Sequence, residues 1–288
     1  MSSSCKMLAA IAAAALLAPL AFASNPAYDN ASSYWYNDGW QTGDNGGFGF
    51  QPWLLSVSGT GGQLIWKSTT NGDGLDNGIV GGVAGDGDID TTIGPNPDNG
   101  FVPPNPVNVT DPRSWGMWNA GGVTDAIRPF NGVLQVGQQF QVDFDNGYVA
   151  SGQTVGVGLY NAANQPLWEV YFIGGNGFYF NHDAAGQVAT VVSYGDEGLH
   201  VSFVLTGPNS YSMTLTRRDG VNQTINGILI NQGDQNIAEF RAFDANGQGG
   251  GDPYNFYVNS MVVPDPPTVG LVVMGLLGAG AFLRRRTI

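Results

Sequence analysis

Three carboxylates alternate with other residues at Asp86, Asp88 and Asp90, and Asn71, Asp73 and Asp76 precede them in the same glycine-rich stretch. Alternate oxygens on a turning backbone can converge on a hard cation, which takes about six to eight oxygen ligands. Calcium is the cofactor such a cluster would hold, with Asp73, Asp76, Asp86, Asp88 and Asp90 as ligands. The EF-hand pattern fails, because Thr91 stands where that loop needs glycine and Pro97 where it needs a bidentate glutamate. The competing reading is an acidic loop that binds nothing. Residues 71–100 carry too little apolar surface to order themselves unaided.

Aromatic residues form a second constellation. Trp35, Tyr36 and Trp40 fall among Asn37, Asp38, Gln41, Asp44 and Asn45, while Trp115 and Trp118 lie near Asn119 and Arg128. Large rings that are apolar on one face and wet at one edge can cover a sugar ring while amides and carboxylates bond its hydroxyls. Trp35, Trp40, Trp115 and Trp118 are therefore predicted to be carbohydrate-contacting residues, with core packing as the alternative. Trp168 reads as core.

Glycoside hydrolysis would need two carboxyl groups roughly 5–10 Å apart across the scissile bond. The three glutamates, Glu169, Glu197 and Glu239, have no second acid at a spacing that shares a strand face. Adjacent Asp196 and Glu197 would point to opposite faces of a strand. Asp143 and Asp145 do share a face, at a strand end that leads into Asn146-Gly147. His182 and His200 show no nucleophile or metal-ligand spacing and read as surface residues. No nucleophile elbow, phosphate loop or zinc signature occurs. The sequence thus predicts a protein that is not an enzyme.

The elements that must position these groups are strands. Phe140 to Phe144 alternates with period two. Val155–Tyr160 and Leu167–Ile173 flank a hairpin loop, Asn161 to Pro166, and Val201–Leu205 and Tyr211–Thr216 flank Gly207 to Ser210. Asp219-Gly220 is a hairpin turn dipeptide. Further strands follow at 226–230, 237–243 and 256–263. Ahead of Asn105 the chain reads as loop, apart from a strand at Gln63 to Lys67 that has no core of its own and is predicted to join the same domain. Short strands at this close spacing predict an all-β, antiparallel β-sandwich over residues 24–263. The closing segment, Tyr254 to Val263, resembles the last inner strand of a concanavalin-like jelly roll, in which first and last strands pair.

Both ends carry addresses. Lys6, the apolar stretch Leu8 to Leu20 and the small-x-small site Ala21-Phe22-Ala23 form a signal peptide over residues 1–23, a helix that the Sec machinery would take. Cys5 leaves with it, so no disulfide or cysteine-ligated metal is available to the mature chain. At the other end a proline-rich break precedes an apolar segment at 269–283 and the terminal cluster Arg284, Arg285 and Arg286. Arginines resist crossing a bilayer, so the cluster stays cytoplasmic and the body outside. Residues 264–288 resemble the PEP-CTERM sorting signal in Val263, Pro264, Pro266, the Gly- and Leu-rich transmembrane helix and the closing arginines. Asp265 stands where that family usually has glutamate. The resemblance implies cleavage by an exosortase, transient anchoring in the inner membrane, and a final place at the cell surface or in an exopolysaccharide matrix.

Once both ends are removed, six basic residues face 23 acidic ones, a net charge of −17. That balance excludes nucleic acid as a partner, since phosphate neutralisation needs clustered Lys and Arg. Asp outnumbers Glu 20 to 3, which suits turns and not helices. The combined expectation is a non-catalytic surface protein that binds polysaccharide or other matrix components. A secreted hydrolase and a purely structural matrix protein are the alternatives.

Overall fold

The computed structural model describes residues 26–67 and 113–264, apart from Ser32 and residues 195–197, 218–219 and 250–255. Residues 1–23, the Asp-rich stretch 71–100 and the apolar segment 269–283 lie outside the described residues. Among the described residues no helix is long and apolar enough to cross a membrane.

Thirteen strands among the described residues join one antiparallel hydrogen-bonded network. They are β1 (Ala27–Asn30), β2 (Leu54–Lys67), β3 (Arg113–Pro129), β4 (Gln139–Asn146), β5 (Thr154–Tyr160), β6 (Pro166–Ile173) and β7 (Phe178–Asp183). There follow β8 (Gly186–Ser193), β9 (Leu199–Gly207), β10 (Ser210–Arg217), β11 (Asn222–Ile228), β12 (Glu239–Ala245) and β13 (Phe256–Val263). The order across the network is β11-β10-β9-β4-β13-β3-β12-β5-β6-β7-β8.

This network folds over on itself. Trp168 of β6 meets Phe203 of β9 at 5.0 Å, and Phe140 of β4 meets Phe240 of β12 at 5.4 Å. One layer is therefore β3-β12-β5-β6-β7 and the facing layer β13-β4-β9-β10-β11, with apolar alternate positions between them, as in an antiparallel sandwich. Trp168 is fully buried in that core.

β3 links the layers. Its start, Trp115 to Met117, pairs with β13, and its end, Val123 to Pro129, pairs with β12. The corner falls at Gly121 and Gly122, with φ of +94° and +107°. A β-carbon on Gly122 would stand 2.0 Å from the Ser58 carbonyl oxygen, so only glycine lets β2 follow β3 through the bend.

Two expectations are corrected here. β2 is a 14-residue strand and not the short Gln63–Lys67 segment, and β1 adds a further strand ahead of it. Pairing with β3 along the length of β2 overrides the weak strand propensity of its glycines. Both strands join the same network as the rest, with β1 against β13 in the register Ala27↔Val263, so first and last strands pair.

Candidate functional site

Period two puts alternate residues of the β3-β12-β5-β6-β7 layer on its outer surface, while Ala126, Ala242, Val157, Leu159, Trp168 and Val170 face the core. Strand register then assembles two outer rows. One runs Ile127, Arg241, Gly158, Glu169, His182 and Gln187. The next runs Asp125, Phe243, Gly156, Tyr171, Phe180 and Ala189.

A chain of polar contacts crosses five strands. Arg241 Nε and Nη2 donate to Asp125 Oδ1 at 2.9 and 2.5 Å, and Arg241 Nη1 donates to the Tyr160 hydroxyl at 3.4 Å. The Tyr160 hydroxyl donates to Glu169 Oε1, and His182 Nδ1 lies 2.8 Å from Glu169 Oε2. The side chains of Asp125, Glu169, His182 and Arg241 keep 14 to 32% of their surface exposed, so a ligand can reach them.

Aromatic rings border the chain. The Arg241 guanidinium lies over Tyr160 at 5.2 Å and over Phe243 at 5.7 Å. Tyr171 sits 6.1 Å from Phe180, 6.2 Å from His182 and 6.4 Å from Phe243, and its hydroxyl donates to Gln187 Oε1 at 3.1 Å.

Electrostatics hold the protons in place. Burial first, and the Glu169 charge second, push the Tyr160 phenol well above its usual range, so it stays a donor. The same two causes move Tyr171 up to about 12. Burial works against the Arg241 charge, but Tyr160 and Asp125 outweigh it. Each Glu169 oxygen meets one protein group, leaving lone pairs that can accept from a hydroxyl-bearing ligand.

The sequence-predicted aromatic platform is corrected at two positions. Trp40 and Trp115 are core residues, 4% and 0% exposed, packed with Trp53 at 5.0 and 5.1 Å. Residues 31–53 fold these rings inward because Arg128, wholly buried, gathers the segment by donating to Asp29 Oδ2 and to the Asp44 and Gly46 carbonyls. Trp35 is exposed and pairs with Tyr34 at 5.2 Å. Trp118 is half-buried against Gly62, so the structure does not join it to Trp115 in one platform.

Other predicted residues fall as follows. Val263 is buried at the end of β13 and Pro264 follows it. Asp265, Pro266, Arg284, Arg285 and Arg286 lie outside the described residues, as do Asp73, Asp76, Asp86, Asp88 and Asp90. Among the described residues no group of three or more His, Cys, Asp or Glu is placed to hold a metal.

His200 is not a surface residue. It is buried on β9, with Nδ1 2.7 Å from Asp143 Oδ1, and Asp143 Oδ2 accepts from the Ser260 hydroxyl at 3.3 Å. His182 lies on β7 and keeps 32% of its side chain exposed. Nothing in the spacing of Asp125, Tyr160, Glu169, His182 and Arg241 along the chain groups them as a site, because they lie on five different strands. The available signal was a charged or hydroxyl residue at an outward position of strands that are otherwise apolar.

No protein-family model matches this chain, and no curated protein matches it. Among solved structures it is similar to a protein of unknown function from Shewanella oneidensis MR-1, at 10% identity over 91% of this chain and 93% of that one, with a TM-score of 0.43. It is also similar to the galectin LEC-6 of Caenorhabditis elegans, at 13% identity over 48% and 89% of the two chains, TM-score 0.33. A legume lectin-like domain from Entamoeba histolytica gives 11% identity over 55% and 86%, TM-score 0.35. Each superposition is loose.

Proposed function

We propose that this protein binds polysaccharide without cleaving it, through the outer face of the β3-β12-β5-β6-β7 layer. The observation that carries this reading is the line Arg241–Tyr160–Glu169–His182, a fixed row of acceptors and donors bordered by Tyr171, Phe180 and Phe243. Sugars offer hydroxyls to such acceptors and apolar ring faces to such aromatics. A glycosidase needs one carboxyl group free to give a proton and a second free to attack or to activate water. Here Asp125 is tied to Arg241, and Glu169 is held by Tyr160 and His182, which supports a binder over a hydrolase.

A concanavalin-like arrangement of the sandwich is part of the same reading. So is the address: export through a signal peptide at 1–23, transient anchoring by 269–283, and exosortase processing, then residence at the cell surface or in the matrix. Calcium belongs to the reading through Asp73, Asp76, Asp86, Asp88 and Asp90.

The test is retention of residues 24–263 on immobilised polysaccharides, with calcium and with chelator. Retention should be lost in Glu169→Gln and Tyr171→Ala. Retention that neither variant alters would move the site off this face. Polysaccharide cleavage that disappears in Glu169→Gln would make the protein a hydrolase.

A further inference from the structure

The outer face is unbalanced in charge, and the imbalance selects among glycans. Asp125, Glu169 and Glu239 all take outward positions there, alternating with the buried Ala126, Trp168 and Phe240. Against three carboxylates stand one guanidinium, Arg241, and one imidazole, His182.

The cation a uronate would seek is already occupied. Arg241 spends Nε and Nη2 on Asp125 Oδ1 and Nη1 on the Tyr160 hydroxyl. An incoming carboxylate would have to displace Asp125 Oδ1, which accepts from both Nε and Nη2, and then sit beside it. Two like charges at such range repel, and partial exclusion of water strengthens the effect. A sugar hydroxyl meets the opposite situation. Glu169, 14% exposed, meets one protein group at each oxygen and has lone pairs in reserve. The chain as a whole carries −13, which adds a long-range field of the same sign.

We infer that this face takes uncharged, hydroxyl-rich glycans and rejects polyuronates. The inference rests on the polysaccharide-binding reading and narrows it to one substrate class.

The experiment compares binding of the full-length protein in detergent to neutral glucan, galactan and mannan with binding to galacturonan and mannuronan. Affinity electrophoresis at low and at high salt provides the readout. At least one neutral chain should bind, and the polyuronates should bind at least about ten-fold more weakly at low salt. The gap should narrow at high salt, because screening shortens the reach of the repulsion. Asp125→Asn, which keeps an acceptor for Arg241 but removes the opposing carboxylate charge, should raise polyuronate binding several-fold. If that variant fails to fold, the wild-type comparison decides alone. Tighter binding of a polyuronate by the wild-type protein would overturn the charge selectivity and leave polysaccharide binding standing. Binding of neither class would overturn both.

Discussion

The ring of Tyr160 lies over Gly158, two residues earlier on the same strand face. A β-carbon on Gly158 would stand 2.9 Å from Tyr160 Cε2, 2.9 Å from Glu169 Cγ and 2.7 Å from the Trp168 carbonyl oxygen. The phenol reaches between Arg241 and Glu169 only because that position is glycine. Gly158→Ala is expected to lift the ring and break both contacts, at a cost of about 1–3 kcal/mol in stability. Polysaccharide retention should fall with it. A crystal structure or titration of the variant with Tyr160 still bonded to Glu169 would contradict this account.

Arg128 fastens the segment from Asp29 to Gly46 onto the end of β3. Its guanidinium bonds Asp29 and two carbonyls, lies 5.2 Å from the Trp53 ring, and is fully buried. Removing one partner of a buried ion pair leaves the other uncompensated, so Arg128→Ala should destabilise by about 3–5 kcal/mol. Urea unfolding measures the loss, and limited proteolysis should newly cut within residues 31–53. An intact segment under protease would count against the fastening role.

Asp244 contributes to the pH dependence together with Asp29, whose pKa burial raises to about 6. Asp244 is wholly buried on β12, accepts from Gln153 Nε2 at 2.9 Å, and has its other oxygen without a hydrogen-bond partner. Burial raises its pKa from 3.8 to about 7, with the Gln153 hydrogen bond opposing. A raised folded-state value means the folded protein holds the proton more tightly than the unfolded chain. Its contribution is therefore complete below about pH 4 and is lost as pH rises towards 7, by roughly 4 kcal/mol at most. Asp244→Asn should flatten that slope. Melting temperatures of both proteins at pH 4, 6 and 8 check it, and parallel curves would refute it.

The two tryptophans of the first aromatic cluster should behave oppositely. Trp40→Ala empties a core site against Trp53 and Trp115 and should cost about 3–5 kcal/mol. Trp35→Ala removes a half-exposed ring and should stay within about 0.5 kcal/mol. Chemical denaturation of the two variants distinguishes these outcomes. Equal losses would place Trp35 in the core as well.

Local chemistry was enough to read much of the architecture. Alternation at Phe140 to Phe144 falls inside β4, the predicted Asn161–Pro166 loop joins β5 to β6 with Pro166 already in β6, and the Tyr254–Val263 segment contains β13. Trp168 reads as core and is core. These features depend on neighbouring residues, where period two and turn dipeptides act directly. The site depends on something else. Asp125 and Arg241 meet across 116 positions, and Tyr160, Glu169 and His182 join them from three further strands. Period two says which face of its own strand a residue takes, but not which strand lies beside it or in what register. The same limit explains Trp40 and Trp115, whose polar and glycine neighbours suggested a surface. Only the packing of residues 31–53 under Arg128 decides that those rings point inward.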